Sequence, residues 1–132
     1  FNGKFVLNSL FGKEFKLKKN ATLVIDTKIT WAGGKRFTPI DVEASRNSTS
    51  AFSTEYFEDL AYSEQFSNYF KADVKIGFRK DGKKVSQVWE FYIENVSNHK
   101  NPLNQLYSKS KGKIEVINQL GFFPLFNYKI YF

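Results

Sequence analysis

Long stretches of this chain place an apolar side chain at every second position. That period admits one geometry, a β-strand whose two faces meet different surroundings. In ATLVIDTKITWAGG (21–34) the odd positions give Ala21, Leu23, Ile25, Thr27, Ile29 and Trp31; the even ones give Thr22, Val24, Asp26, Lys28 and Thr30. YFKADVKIGFRK (69–80) sets Phe70, Ala72, Val74, Ile76 and Phe78 against Tyr69, Lys71, Asp73, Lys75, Gly77 and Arg79. VSQVWEFYIEN (85–95) sets Val85, Trp89, Phe91 and Ile93 against Ser86, Glu90, Tyr92 and Glu94. From Ile114 to Phe132 the even positions are apolar except Asn118 and Pro124, and the opening FNGKFVLNSLFGKEFKL alternates less cleanly. The pattern predicts five strands, several of 11 residues or more and the last extending to roughly 19. Soluble strands average about five or six residues, whereas a tilted membrane-spanning strand needs about 9 to 11.

The breaks alternate between short and long. Lys18-Lys19-Asn20 and Asp81-Gly82-Lys83-Lys84 are tight turns; Gly33 to Ser67 and Ser97 to Gly112 are long links in which only 52–66 hints at helical periodicity. Short turns on one side and long loops on the other are the pattern of an outer-membrane barrel. No run of about 18 apolar residues exists, so a helical span is excluded. Phe1 is not a methionine and follows no charged-then-apolar leader, which points to a processed chain or a piece of a longer one.

Register follows from the turns. A four-residue turn at 81–84 sets Lys80 opposite Val85, Lys75 opposite Glu90 and Lys71 opposite Glu94. It also sets Ile76 opposite Trp89, Val74 opposite Phe91 and Ala72 opposite Ile93. A two-residue turn would oppose Asp73 and Glu90, a like-charge pair that costs stability. The expectation is therefore a lumen-facing ladder of ion pairs, Lys75–Glu90 and Lys71–Glu94.

The net charge of +7 is unevenly spread. Residues 37–68 hold six acids (Asp41, Glu43, Glu55, Glu58, Asp59, Glu64) and one base, Arg46. The bases cluster in two turns, Lys13 to Lys19 and Arg79 to Lys84, and read as solvated turn charge rather than a nucleic-acid interface. There is no cysteine, which excludes disulfide frameworks, thiolate metal sites and cysteine nucleophiles. The one histidine, His99, sits in a link beside Lys100, and no motif for nucleophilic, zinc-dependent, phosphate-binding or calcium-binding chemistry occurs. No catalytic residue, cofactor or metal is expected. The candidate ligand contact is the acidic, aromatic segment Glu55, Tyr56, Phe57, Glu58 and Asp59, suited to a cationic or metal-chelate ligand.

WAGGKRFTPID (31–41), NYFKADVKIGFR (68–79), WEFYIENVSNHKNPL (89–103) and INQLGFFPLFNYKIYF (117–132), with NSLFGKEFKL (8–17), resemble TonB-dependent outer-membrane receptors of Bacteroidota-type bacteria. The resemblance covers essentially the whole chain. It implies an all-β, antiparallel transmembrane barrel, of 22 strands in the family's pattern, of which residues 1–132 supply about the last five, without the plug domain and earlier strands. It implies no enzymatic activity but nutrient import across the outer membrane of a Gram-negative cell. Partners would be outer-membrane lipid, the barrel assembly machinery, the remainder of the barrel and plug, and TonB through the missing N-terminal part; a surface lipoprotein is a further candidate. Tyr128, Ile130 and Phe132 resemble the family's assembly signal. The alternatives are a non-transporting barrel that anchors a surface complex and a soluble lipocalin or fatty-acid-binding carrier.

Overall fold

The structure, a computed structural model, describes residues 3–49 and 54–132. Phe1 and residues 52–53 of the segment with helical periodicity lie outside the described residues. In chain order the strands are β1 (Val6–Leu17), β2 (Ala21–Ala32), β3 (Arg36–Phe37), β4 (Glu64–Gln65), β5 (Tyr69–Asp81), β6 (Ser86–Glu94), β7 (Pro102–Ser108), β8 (Lys113–Asn118) and β9 (Phe123–Tyr131). A six-residue helix, α1 (Val42–Asn47), and a 3-10 turn (Glu58–Leu60) lie between β3 and β4. The fold is all-β, and β3–β4, β5–β6, β6–β9 and β7–β8 pair antiparallel.

The chain divides into two compact units. Leu7–Trp31, Phe70–His99 and Leu120–Phe132 form the first, a five-stranded sheet in the order β1-β2-β5-β6-β9. That sheet is open, with β1 and β9 at its edges. Strands β1, β2 and β5 run 12, 12 and 13 residues, well beyond the ordinary soluble strand.

The pleat separates two faces. Ile76 faces Phe91, which faces Phe126; Phe78 faces Trp89, which faces Tyr128. On the opposite side Lys75 faces Tyr92 and Gly77 faces Glu90, which faces Asn127. Asn8 accepts a hydrogen bond from Thr30 at 2.9 Å, which places the even positions of β1 and β2 on one side. The apolar side carries eleven exposed large side chains (Leu7, Phe11, Phe15, Leu17, Ile25, Trp31, Ile76, Phe91, Phe126, Tyr128, Ile130), at 37% to 68% of full exposure. A buried side chain of this size contributes about 1.5–3 kcal/mol. Half-exposed, the eleven together forgo on the order of 10 kcal/mol, as much as the whole net stability of an ordinary domain. The other side is less uniform, since Leu10, Phe123, Leu125 and Tyr131 stand there on the two edge strands.

The hairpin register differs from the sequence expectation by two residues. Strand β5 continues to Asp81, which pairs with Ser86. Gly82 N donates to Val85 O at 2.9 Å, leaving only Lys83 and Lys84 at the tip; the turn is thus two residues rather than the expected four, and placed at 83–84 it sets Gly77, not Asp73, opposite Glu90. A Cβ at Gly82 would sit 2.8 Å from that oxygen, so glycine permits the close turn. Asp81 N also donates to Asn20 O, which draws β5 past the expected turn along the β1–β2 hairpin. The two-residue offset keeps each side chain on its expected face but changes its partner.

The link expected from Ser97 to Gly112 is not a loop throughout. It contains β7, which pairs with β8 in a second unit made of Phe1–Val6, Ala32–Tyr69 and Lys100–Gln119. The last stretch is therefore two strands rather than one, interrupted at 119–122. Asparagines fix the interruption. Fully buried Asn95, at φ 48°, donates through Nδ2 to His99 O (2.9 Å) and Leu120 O (3.4 Å). Its Oδ1 accepts from Ser97 Oγ and His99 N, and its own N–H donates to Asp73 Oδ1 at 2.9 Å. Asn98 Oδ1 accepts from Phe122 N at 3.1 Å. This turn ties the end of β6 to β5 and to the start of β9.

In the second unit Asp41 caps α1 by accepting from Ala44 N at 2.9 Å. Fully buried Ser45 accepts from Glu55 N (2.8 Å) and donates to Glu55 O (3.3 Å). Residues 39–41 run beside 55–57 through the Ile40–Tyr56 bridge. The segment 33–67, expected as one long loop, is thus held by short pairings and a helix.

Asn95→Ala should lower stability by about 2–3 kcal/mol, because it strands several buried partners. Asn95→Gly tolerates the positive φ but lacks the amide, so urea unfolding of refolded protein should place it near the alanine variant. Wild-type stability in the glycine variant would mean that backbone strain alone matters at this turn.

Candidate functional site

The polar face of the sheet holds a row of charges. Lys75 Nζ lies 2.8 Å from Asp26 Oδ2, and Lys129 Nζ lies 2.6 Å from Glu90 Oε2. Lys71 Nζ is 3.4 Å from Glu94 and 3.5 Å from Asp73. Lys71 and Glu94 are therefore brought together, whereas the expected Lys75–Glu90 pair is replaced. The register shift sets Tyr92 opposite Lys75, and nearer countercharges stand on β2 and β9. Asp26, Lys28, Asp73, Lys75 and Tyr92, with Leu10, Phe11 and Gly12, line a depression of about 350 Å³. Asp73 is nearly buried, and it serves the Asn95 turn rather than facing outward.

A second recess, of about 440 Å³, lies within the other unit. Aromatic Phe37, Tyr56, Tyr62 and Phe66 line it together with Lys35, Arg36 and Glu58, and the β7 residues Leu103, Asn104 and Gln105 close one side. Phe37 and Phe66 stack with centroids 4.2 Å apart. Gly34 makes this possible: a Cβ there would fall 1.9 Å from Phe66 O, so only glycine lets the two segments run together. Phe66 N donates to Lys35 O (3.0 Å) and Gln65 Nε2 to Gly34 O (2.8 Å). Arg36 is tied to Tyr62 O at 3.3 Å.

The acidic segment is distributed differently from the expectation. Tyr56 and Glu58 line the recess, while Glu55, Phe57 and Asp59 do not. Alternation explains the split, because 55–57 runs as an extended segment beside 39–41 and Glu58–Leu60 then turns. Among the described residues no three His, Asp or Glu side chains converge at metal-binding spacing. The recess is consequently aromatic and mixed in charge rather than an acidic cup. Tyr62, at the end of the same acidic and aromatic segment TEYFEDLAY (54–62), does line it, whereas Lys35, Arg36, Phe37 and Phe66 escaped the sequence reading. The Gly33-Gly34 pair is a weak signal in the sequence, where it reads better as a bend at a strand end.

Elsewhere in this unit Arg46 hydrogen-bonds the Tyr107 phenol, which holds its guanidinium above the ordinary value. Tyr107 is itself buried, and its backbone N–H donates to Thr54 Oγ1 at 3.2 Å. Tyr128 and Ile130, expected in an assembly signal, stand on the apolar face of edge strand β9, and Phe132 follows that strand fully exposed.

Lys75→Gln and Asp26→Asn should each cost no more than about 1 kcal/mol, as half-exposed pairs do. A double-mutant cycle should couple Lys75 with Asp26 and leave Lys75 with Glu90 near zero. Stronger coupling to Glu90 would contradict the register of β5 on β6.

No family model matches the chain, and no curated protein or solved structure is significantly similar to it.

Proposed function

We propose that this chain forms part of the wall of a transmembrane β-barrel in the outer membrane of a Gram-negative bacterium. One observation carries the reading: a wide five-stranded sheet leaves its apolar face uncovered while its other face is tied by ion pairs. Hydrocarbon on one side and water on the other reconcile both faces. The spacing of aromatic rows agrees. Phe78, Trp89 and Tyr128 form a contiguous row with centroids 5.6 and 5.5 Å apart, while Phe70 and Trp31 stand at the opposite end of their strands. Eight residues separate Phe70 from Phe78, about 26 Å along the strand. At a tilt of about 40° this is about 20 Å along the membrane normal, close to the ~25 Å apolar band of such barrels.

The edges bear on the same reading. Unpaired backbone groups are not tolerated in hydrocarbon, so β1 and β9 require neighbouring strands to complete a barrel. On the family resemblance of the sequence, that barrel is a TonB-dependent transporter that imports a nutrient, with Tyr128, Ile130 and Phe132 in the assembly signal. The aromatic recess built around Phe37, Phe66, Tyr56 and Glu58 is then the candidate ligand contact in the long-loop region. No covalent chemistry is assigned to the chain.

Refolded with phosphatidylcholine vesicles, where copies can pair their open β1 and β9 edges with one another, the chain should co-float with lipid, and brominated lipid should quench Trp89 fluorescence. Val74→Arg, near the middle of the band, should weaken insertion by about 2–4 kcal/mol. A monomer that stays folded in buffer, without lipid or detergent and with unquenched Trp89, would overturn the reading.

A further inference from the structure

At one end of the sheet two turns bring together most of the chain's excess positive charge. Lys16, Lys18 and Lys19 belong to the β1–β2 end; Arg79, Lys80, Lys83 and Lys84 belong to the β5–β6 end. All seven are exposed, and Asp81, paired with Arg79 at 2.8 Å, is the one acid within these two turn segments, a net of +6. The hydrogen bond from Asp81 N to Asn20 O joins the two turns into one rim. The rim borders the aromatic row, because Lys80 lies two residues beyond Phe78, about 7 Å along the strand. A row of Phe, Trp and Tyr marks headgroup depth. The lysines beyond it therefore stand at the level of lipid phosphates.

We infer that this basic rim is a docking surface for the anionic phospholipid headgroups of the leaflet on the short-turn side. The inference rests on the membrane reading above, but it assigns a lipid preference that the reading does not require. Charge complementarity and continuity with the apolar face favour this occupant. A nucleic acid would meet the same charges but would leave the adjoining aromatic row exposed to water. Lysines near an anionic bilayer each strengthen binding by about fivefold, and the attraction fades beyond a Debye length of about 8 Å at physiological salt.

The test compares flotation of the full chain with vesicles of pure phosphatidylcholine and with vesicles containing about one-third phosphatidylglycerol as the anionic lipid. Wild-type protein should bind the anionic vesicles at least tenfold more tightly at low salt, and high salt should erase the difference. Lys18→Gln/Lys19→Gln/Lys83→Gln/Lys84→Gln should lose that preference while still binding neutral vesicles, and the corresponding arginine variant should keep it. Equal binding to both vesicle types by wild-type and glutamine variants overturns the rim and leaves the membrane reading intact. Failure to bind either vesicle type counts against the membrane reading itself. If a short DNA duplex displaces the protein from anionic vesicles as well as excess anionic vesicles do, the surface is a general polyanion patch and the lipid assignment falls.

Discussion

A β-strand cannot choose which of its faces to bury residue by residue; the pleat assigns alternate side chains to opposite sides. Everything about the five-stranded sheet follows from that constraint. Ile25, Ile76, Phe91, Phe126 and Ile130 share one side across strands far apart in the sequence, while Asp26, Lys75, Glu90 and Lys129 share the other. Neither side holds a compact core. Among the described residues the buried apolar side chains are Ala21, Ile40 and Tyr107, of which only Ala21 belongs to the sheet. Hydrophobic burial within the sheet therefore contributes little, and the free energy that orders such long strands comes from backbone pairing and from whatever covers the apolar face.

The polar face is organised locally rather than as a continuous ladder. Its ion pairs are half-exposed and individually worth little in water. The firmer connections lie at the strand ends. Asn95 and Asn98 take positive φ, which asparagine tolerates better than most residues, and their side chains then satisfy the amides of the turn and of the next strand. Asp73 reaches the same turn from β5. These contacts decide where β6 stops and where β9 starts, and so they set the register between those two strands.

The faces of the sheet could be read from the sequence because alternation survives any even shift. For the same reason register could not: moving β6 by two residues exchanges Glu90 for Tyr92 opposite Lys75 and alters no face. The break between β8 and β9 was hidden in a similar way. Val116, Leu120, Phe122 and Phe126 keep one parity across it, and only the asparagines of a distant segment impose the interruption. The recess lined by Phe37 and Phe66 was beyond periodicity altogether, since its walls lie some thirty residues apart and meet where Gly34 admits a carbonyl oxygen. The acids of 55–59 are divided by the single Ile40–Tyr56 bridge, too short to leave a pattern in the sequence.

Spin labels placed one at a time along residues 71–78 of the chain refolded in lipid offer the most direct measurement of the central claim. Accessibility to oxygen, which concentrates in hydrocarbon, and to a water-soluble nickel chelate should alternate in opposite phase. Positions 72, 74, 76 and 78 should favour oxygen, and 71, 73, 75 and 77 should favour the chelate or neither. A uniform profile along the strand, or chelate access at 74 and 76, would contradict a sheet that stands between lipid and water.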